Sequence, residues 1–365
     1  MSATETKKAN VLLLGGGAVG TIAALNIETG GLGSVTAVLR SNFKVVQDEG
    51  YVIESVDHGK LHGWRPTRVV NSVPDVIKES LPPFDYIVTT TKNLPDIPPS
   101  LTSLIAPAVT LGHTIIVIVQ NGLNIEKPMF ASFPTNIVLS GVSMIDAHEG
   151  RLGEILHEEH DTLYLGAFNN PNINDPSREL SEAKKFIEIY NAAGKSTVHL
   201  SEDVAFARWR KLVFNAVLNP LCAILGLDDA RIRLAGGGSA IEGLVRPAMR
   251  EIVQTARKLG HDLPEEVMDA MIHCDPMDLY LKPSMQCDYE KVCSFPRSIL
   301  FASLDRKLAG NYMEYEYLVG EPLREAEKIG VPAPTLKVIY EICKALQWRI
   351  MEEKGLVLVP PKRVL

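Results

Sequence analysis

The chain has 365 residues, 46% of them hydrophobic and 22% charged, with a formal net charge of −7. This composition is that of an ordinary folded protein and excludes a disordered tail, and the length accommodates about two domains of ~150 residues each. The acidic balance provides no basic field to neutralise a phosphate backbone, so nucleic acid is not an expected partner.

The opening MSATETKKAN is polar and leads directly into an apolar run, without the basic segment, apolar core and small-residue cleavage site of a secretory signal. Residues 114–119 form the most apolar run near mid-chain and are far shorter than the ~20 residues of a membrane span. Cys222, Cys274, Cys287, Cys293 and Cys343 are odd in number and contain no CxxC, which argues against a disulfide framework or a zinc ribbon. The expectation is a cytoplasmic protein without a membrane partner or a metal site. His157 and His160, beside Glu158 and Glu159, read as an exposed strand end or turn.

Up to about residue 200, short β-branched runs at 11–14, 34–39, 86–91 and 114–119 alternate with helix-like or loop segments. Runs apolar at nearly every position suit strands covered on both faces, which predicts a doubly wound parallel sheet wrapped by helices. Residues 150–168 read as one or two late strands, 169–178 as a turn-rich loop and 179–193 as a helix. Beyond residue 200 the strand runs give way to amphipathic helices at 204–225, 241–259, 322–329 and 335–351. Gly260 and Gly330 follow two of these at positions suited to helix termination, and Gly236 to Gly238 reads as a loop. The texture changes near His199, which predicts a Rossmann-like α/β domain over 1–198 and an all-helical domain over 199–365.

The first strand runs into GGGAVG, which places Gly15, Gly17 and Gly20 in the G-x-G-x-x-G register. The first glycine suits a tight turn, the second lets the backbone approach a pyrophosphate, and the third allows close helix-to-strand packing. Where an NAD-binding protein places an acidic residue after its second strand, this chain has Arg40, whose guanidinium would attract a 2′-phosphate. A surface arginine is the alternative. Lys92 and Gln120-Asn121-Gly122 follow the strands at 86–91 and 114–119, the ends at which open α/β sheets bind ligands, although Asn-Gly also makes an ordinary turn.

In the helical half, ARWRKLVFNAVLNPLCAIL spaces Lys211, Asn215 and Asn219 at i, i+4 and i+8, one polar stripe along a single apolar helix. Buried polar groups need partners, which would be a substrate or other helices. Ser284-Met285 precedes Asp288, and Glu314 lies in the string MEYEYLVG. Taken alone, an acidic residue on a helix is usually solvated.

Taken together, GGGAVG, Arg40, Lys92, the QNG at 120–122, WRKLVFNAVLNP, Ser284-Met285 and MEYEYLVG make the chain resemble the ketopantoate (2-dehydropantoate 2-) reductases, a 6-phosphogluconate-dehydrogenase-like group. The resemblance implies an NADPH-dependent oxidoreductase acting on a CH-OH group, reducing a small 2-oxo acid such as 2-dehydropantoate in pantothenate biosynthesis. It implies that Gly15, Gly17, Ala18, Val19 and Gly20 hold the pyrophosphate and that Arg40 and Lys92 supply positive charge to the cofactor. Asn121 would lie beside nicotinamide and substrate, Lys211 would be the general acid, and Asn215, Asn219, Ser284 and Glu314 would hold the substrate. Burial among Leu212, Phe214 and Leu218 would lower the Lys211 pKa.

The chain departs from the family pattern at Met313 and Val319, where Thr and Asn are usual, and the stretch from Asp288 to Glu314 is longer than is typical. These departures leave open a different 2-oxo acid or carbonyl substrate, and leave Glu316 as an alternative counterpart of the family glutamate. A catalytically silent NADP(H)-binding redox sensor is the reading from another class. Nothing in the sequence sets the oligomeric state; a homodimer is left open.

Overall fold

The computed structural model describes residues 7–293 and 311–360; the lengthened stretch before Glu314 falls largely outside the described residues. The chain divides into two compact units, Met1–Ala207 and Arg208–Leu365. Composition changes near His199, but Thr197–Leu200 is still a strand of the first unit, and the break in contacts falls later.

Among the described residues the first unit has twelve strands: β1 (Ala9–Leu14), β2 (Gly33–Val38), β3 (Tyr51–Ser55), β4 (Gly59–Trp64), β5 (Arg68–Val70), β6 (Tyr86–Thr89), β7 (Ile115–Ile118), β8 (Val138–Ser143), β9 (Ala147–Glu149), β10 (Glu154–His157), β11 (Thr162–Ala167) and β12 (Thr197–Leu200). Its helices are α1 (Ala18–Thr29), α2 (Phe43–Asp48), α3 (Leu101–Ile105), α4 (Lys127–Ser132) and α5 (Pro176–Asn191). Eight strands form one sheet in the order β12-β11-β8-β7-β6-β1-β2-β5. The strands read as apolar runs lie at its centre, where β6 and β7 are buried at every position. All pairings in this sheet are parallel except β8 with β11. The chain leaves β1 toward β2 on one side and later returns to β6 on the other, so the switch point of the topology lies between β1 and β6.

A second sheet, in the order β4-β3-β10-β9, was not legible as such in the sequence. It explains why α1 is apolar nearly all round: the helix packs on β1 and β2 of the large sheet and on β9 and β10 of the small one. A polar cluster fastens the two layers. Asn26, fully buried on α1, donates to Asp161 Oδ2 at 2.8 Å, and the Tyr190 hydroxyl of α5 donates to the same oxygen at 2.8 Å. His157 corrects the expectation of an exposed strand end: it is buried, with Nδ1 2.8 Å from Ser55 Oγ, because β10 is an inner strand of the small sheet. His160 stays half-exposed beside Asp57.

The second unit is helical: α6 (Val204–Asn215, which enters it), α7 (Leu218–Leu225), α8 (Asp229–Leu234), α9 (Arg246–Lys258), α10 (Glu266–Ile272), α11 (Ser284–Cys293), α12 (Glu321–Ile329) and α13 (Pro334–Glu353). The single helix expected over the Lys211 stripe is two. Pro220 lacks the N–H that would bond Ala216, and its ring would strike that carbonyl, so the helix breaks at Val217, whose φ of −121° and ψ of −68° leave the helical region. Within this unit α7 packs on α11 and α13, and α9 packs on α12 and α13. Glu251 of α9 accepts from Thr335 N at 3.0 Å and Leu336 N at 2.8 Å, satisfying the start of α13 with a carboxylate. Gly330 ends α12 in the left-handed conformation, φ +67°. Among the described residues no single helix is long and apolar enough to cross a membrane.

Candidate active site

In the first unit the candidate residues gather at one edge of the large sheet. Because β1, β2, β6 and β7 are parallel, the residues that follow them come out on the same side: Gly15 after β1, Arg40 after β2, Lys92 after β6 and Asn121 after β7.

The three glycines serve three different local needs. Gly15 has φ +109°, and a Cβ there would sit 2.7 Å from Thr90 Oγ1 and 2.8 Å from Thr91 N. Gly20 lets α1 lie against the loop, since its Cβ would fall 1.8 Å from Gly15 O. Gly17 has nothing within 4 Å of where its Cβ would point, so packing does not require a glycine there. Gly17 is also the residue before α1, makes no side-chain cap, and is followed by no acidic residue in the first turn. The opening amides of a helix have no acceptor within it. Unobstructed space before such amides suits the oxygens of a pyrophosphate, and the donor set at Gly17, Ala18, Val19 and Gly20 fits one.

Sequence reasoning missed the side chains that hold this edge in place. Thr90 Oγ1 donates to Leu14 O at 3.0 Å and to Gly15 O at 2.9 Å, tying the ends of β1 and β6 together. Gln120 donates from Nε2 to Thr91 O at 2.5 Å and accepts at Oε1 from Asn93 Nδ2 at 3.4 Å, so it holds the backbone on one side of Lys92 and a side chain on the other. The QNG string placed Gln120 at this end of the strand, but nothing in the sequence indicated its bonds to Thr91 and Asn93. Arg40 is exposed.

In the second unit the structure brings two pairs together. Lys211 of α6 is half-buried, and its ammonium is pulled down to about 8, first by burial, then by the Arg208 guanidinium one turn earlier, against the opposing pull of the Glu314 carboxylate. Glu316, the alternative glutamate, is committed elsewhere: it accepts from Arg324 Nη1 at 2.9 Å and from the Tyr340 hydroxyl at 2.9 Å. Gln347 of α13 fixes the backbone next to Glu314 by accepting from Met313 N at 3.1 Å. Asn219 forms the second pair with Ser284, donating to its Oγ at 3.3 Å while accepting from Met285 N at 2.8 Å. Asn219 therefore anchors the start of α11, the interhelical role that spacing alone left open. Asn215 is buried at the end of α6. Among the described residues no cluster of three or more His, Cys, Asp or Glu is placed to hold a metal ion.

A nucleotide-type α/β unit followed by a helical unit carrying a tuned lysine defines the class of two-domain dehydrogenases and reductases. Comparison with known proteins narrows the class. The profile described as "Ketopantoate reductase PanE/ApbA" matches residues 11–170, and that of its C-terminal domain matches 203–293 and 305–347. The chain belongs to the ketopantoate reductase family. An uncharacterized protein of Saccharomyces cerevisiae is 33% identical over 95% of this chain and 96% of its own length. The crystal structure of 2-dehydropantoate 2-reductase from Methylococcus capsulatus is 29% identical, with a TM-score of 0.72 over 93% of this chain and 97% of that one. A ternary structure of D-mandelate dehydrogenase with NADH and anilino(oxo)acetate shares the fold at 19% identity, with a TM-score of 0.73 over 93% of this chain and 99% of that one.

Proposed function

We propose that this protein is an NADPH-dependent oxidoreductase that reduces a 2-oxo acid at its ketone, with 2-dehydropantoate to pantoate as its reaction. The observation that carries the reading is the Lys211 ammonium, lowered to about 8 in the company of Arg208 and Glu314. A ketone gaining electrons develops negative charge on oxygen, and a fixed ammonium both stabilises that charge and delivers the proton. A lysine at its ordinary pKa of ~10.4 would stabilise the charge but release its proton reluctantly. Bound NADPH supplies the hydride. The residues of the first unit bind the cofactor: Gly15, Gly17, Ala18, Val19 and Gly20 its pyrophosphate, Arg40 and Lys92 its remaining negative charge, and Asn121 its nicotinamide end. In the second unit Asn215, Asn219, Ser284 and Glu314 bind and orient the substrate, with Asn219 and Ser284 acting as a connected pair.

A second substrate reading rests on Met313 and Val319. Both are buried, and both put an apolar side chain where the family pattern has a polar one. Losing two polar groups from the chain around Glu314 favours a 2-oxo acid with a less polar acyl group on the same lysine and cofactor. D-mandelate dehydrogenase, bound to anilino(oxo)acetate, shows this fold holding such a compound.

The test is NADPH oxidation followed with ketopantoate and a panel of aliphatic and aromatic 2-oxo acids, repeated with NADH. Turnover of at least one acid, faster with NADPH, is expected, and Arg40→Asp should shift the preference toward NADH by removing the cation for the 2′-phosphate. An unchanged preference would take Arg40 out of cofactor choice. Tight NADPH binding without turnover of any acid would favour the silent redox sensor.

The two glutamates separate experimentally. Glu314→Gln should lower kcat/KM by ~10-fold or more and move the alkaline fall in activity to lower pH, since the Glu314 carboxylate raises the Lys211 pKa. Glu316→Gln should instead lower the melting temperature by weakening the contacts with Arg324 and Tyr340, with kcat near that of the unaltered protein. The reverse order would assign the substrate-binding role to Glu316.

A further inference from the structure

Between Gly15 and Gly17, the first two of the three glycines that the dinucleotide fingerprint names, lies Gly16, a position the fingerprint leaves open. Its carbonyl oxygen accepts three hydrogen bonds: from Asn42 Nδ2 at 2.6 Å, from the Tyr51 hydroxyl at 3.1 Å and from Thr21 Oγ1 at 3.3 Å. All three side chains are buried, at 3%, 1% and 2% exposure. They come from the start of α2, from β3 and from α1, so three elements converge on one carbonyl. One donor would satisfy a buried carbonyl; three over-determine its direction.

We infer that Asn42 and Tyr51 are positioning residues for the cofactor, holding the Gly16 carbonyl inward so that the Gly17 N–H is aimed at the pyrophosphate. The inference rests on the nucleotide-binding reading above. A trans peptide is planar, with its C=O and N–H on opposite sides, so fixing Gly16 O fixes the direction of Gly17 N–H. That N–H belongs to the one glycine of the loop whose Cβ side is open. Left to rotate, the same peptide would turn a carbonyl oxygen toward the phosphates and repel them. The preceding carbonyl, Gly15 O, is held by Thr90 Oγ1, so both loop carbonyls are tied down by side chains.

The donors are themselves fixed. Asn42 Nδ2 spends its other hydrogen on Glu149 Oε1 at 3.0 Å, and the same oxygen accepts from Gly153 N at 2.9 Å, which sets the amide with its nitrogen toward Gly16. Burial raises the Tyr51 pKa, so its hydroxyl stays protonated and donates. Gly16 must be glycine for this contact, because a Cβ there would meet the Tyr51 oxygen at 2.6 Å and Leu39 Cδ2 at 2.1 Å. The small sheet, through Tyr51 and Glu149, thereby braces the loop that opens the large one.

The test compares Tyr51→Phe and Asn42→Asp with the unaltered full-length protein. Tyr51→Phe removes only the hydroxyl, and Asn42→Asp places a carboxylate oxygen against the Gly16 carbonyl without changing the side-chain shape. Affinities are measured for NADPH, for 2′-phospho-ADP-ribose, which carries the pyrophosphate, and for 2′-AMP, which lacks it, alongside the melting temperature. The expected result is a loss of ~10-fold for NADPH and 2′-phospho-ADP-ribose with Tyr51→Phe and a larger one with Asn42→Asp, with 2′-AMP affinity and saturated kcat unchanged. Equal weakening of all three ligands would mean general damage to the fold and would overturn the inference, as would unaltered affinity for the two pyrophosphate ligands. Failure of the unaltered protein to bind any of the three would overturn the nucleotide-binding reading itself, an outcome distinct from parity between variant and parent.

Discussion

Lys211→Ala is expected to lower kcat by ~100-fold or more while leaving NADPH affinity close to that of the parent, the size of effect found when a positioned proton donor is lost. The pH profile carries the sharper information. A lysine that acts as general acid works in its protonated form, so with a pKa of about 8 the rate should hold below that pH and fall as pH rises through it. The cause of the shift sets the direction of two further changes. Burial and Arg208 push the value down and Glu314 pushes it up, so Arg208→Gln should move the alkaline limb to higher pH and Glu314→Gln to lower pH. A near-parental kcat for Lys211→Ala, or a pH profile indifferent to both neighbours, would remove Lys211 from the mechanism.

Two glycines three residues apart should both lose cofactor affinity on substitution by alanine, but only one of them should lose stability. In Gly20→Ala the new methyl would fall 1.8 Å from a backbone oxygen, Gly15 O, and 2.4 Å from Thr90 Oγ1, and a backbone atom can yield only if α1 lifts from the loop. Overpacking of this kind costs about 1–3 kcal/mol or more, which lowers the melting temperature by several degrees. Cofactor affinity should fall with it, by ~100-fold, because the amides at the head of α1 move away from β1. Gly17→Ala meets nothing within 4 Å and sits at φ −74°, which alanine adopts without strain. Its melting temperature should be that of the parent. NADPH binding should nevertheless weaken by ~10-fold, because the methyl occupies the space through which a phosphate would approach. Calorimetry and fluorescence titration on the two variants separate packing from binding, and parental NADPH affinity in Gly17→Ala would show that no phosphate comes near that residue.

Much of the first unit was readable because its central strands are buried on both faces. A run such as Ile115–Ile118 can afford no polar residue, so its burial is visible in composition alone. The small sheet was not readable, since β4 is exposed or half-exposed at every position and its short strands carry no run of comparable strength. The same sheet corrects His157, whose burial comes from residues distant in sequence. In the helical unit periodicity located the elements, but the single helix carrying Lys211, Asn215 and Asn219 was read through Pro220, and the proline breaks it at Val217, between Asn215 and Asn219. Spacing also could not choose between Glu314 and Glu316, two residues apart on the chain. Folding gives the two different surroundings: Arg324 and Tyr340 engage Glu316, while the charge of Glu314 acts on Lys211.

The sequence by itself determined the family, the α/β-then-helical order and the glycine loop, because each of these is written in local patterns of residue type. Only the tertiary structure decided which glycine is there for packing and which faces open space, which glutamate's charge acts on the lysine, and why the pKa of that lysine is lowered. Those outcomes depend on what distant segments bring to within a few ångströms, and a charge or a carbonyl acquires its chemistry from the neighbours that folding supplies.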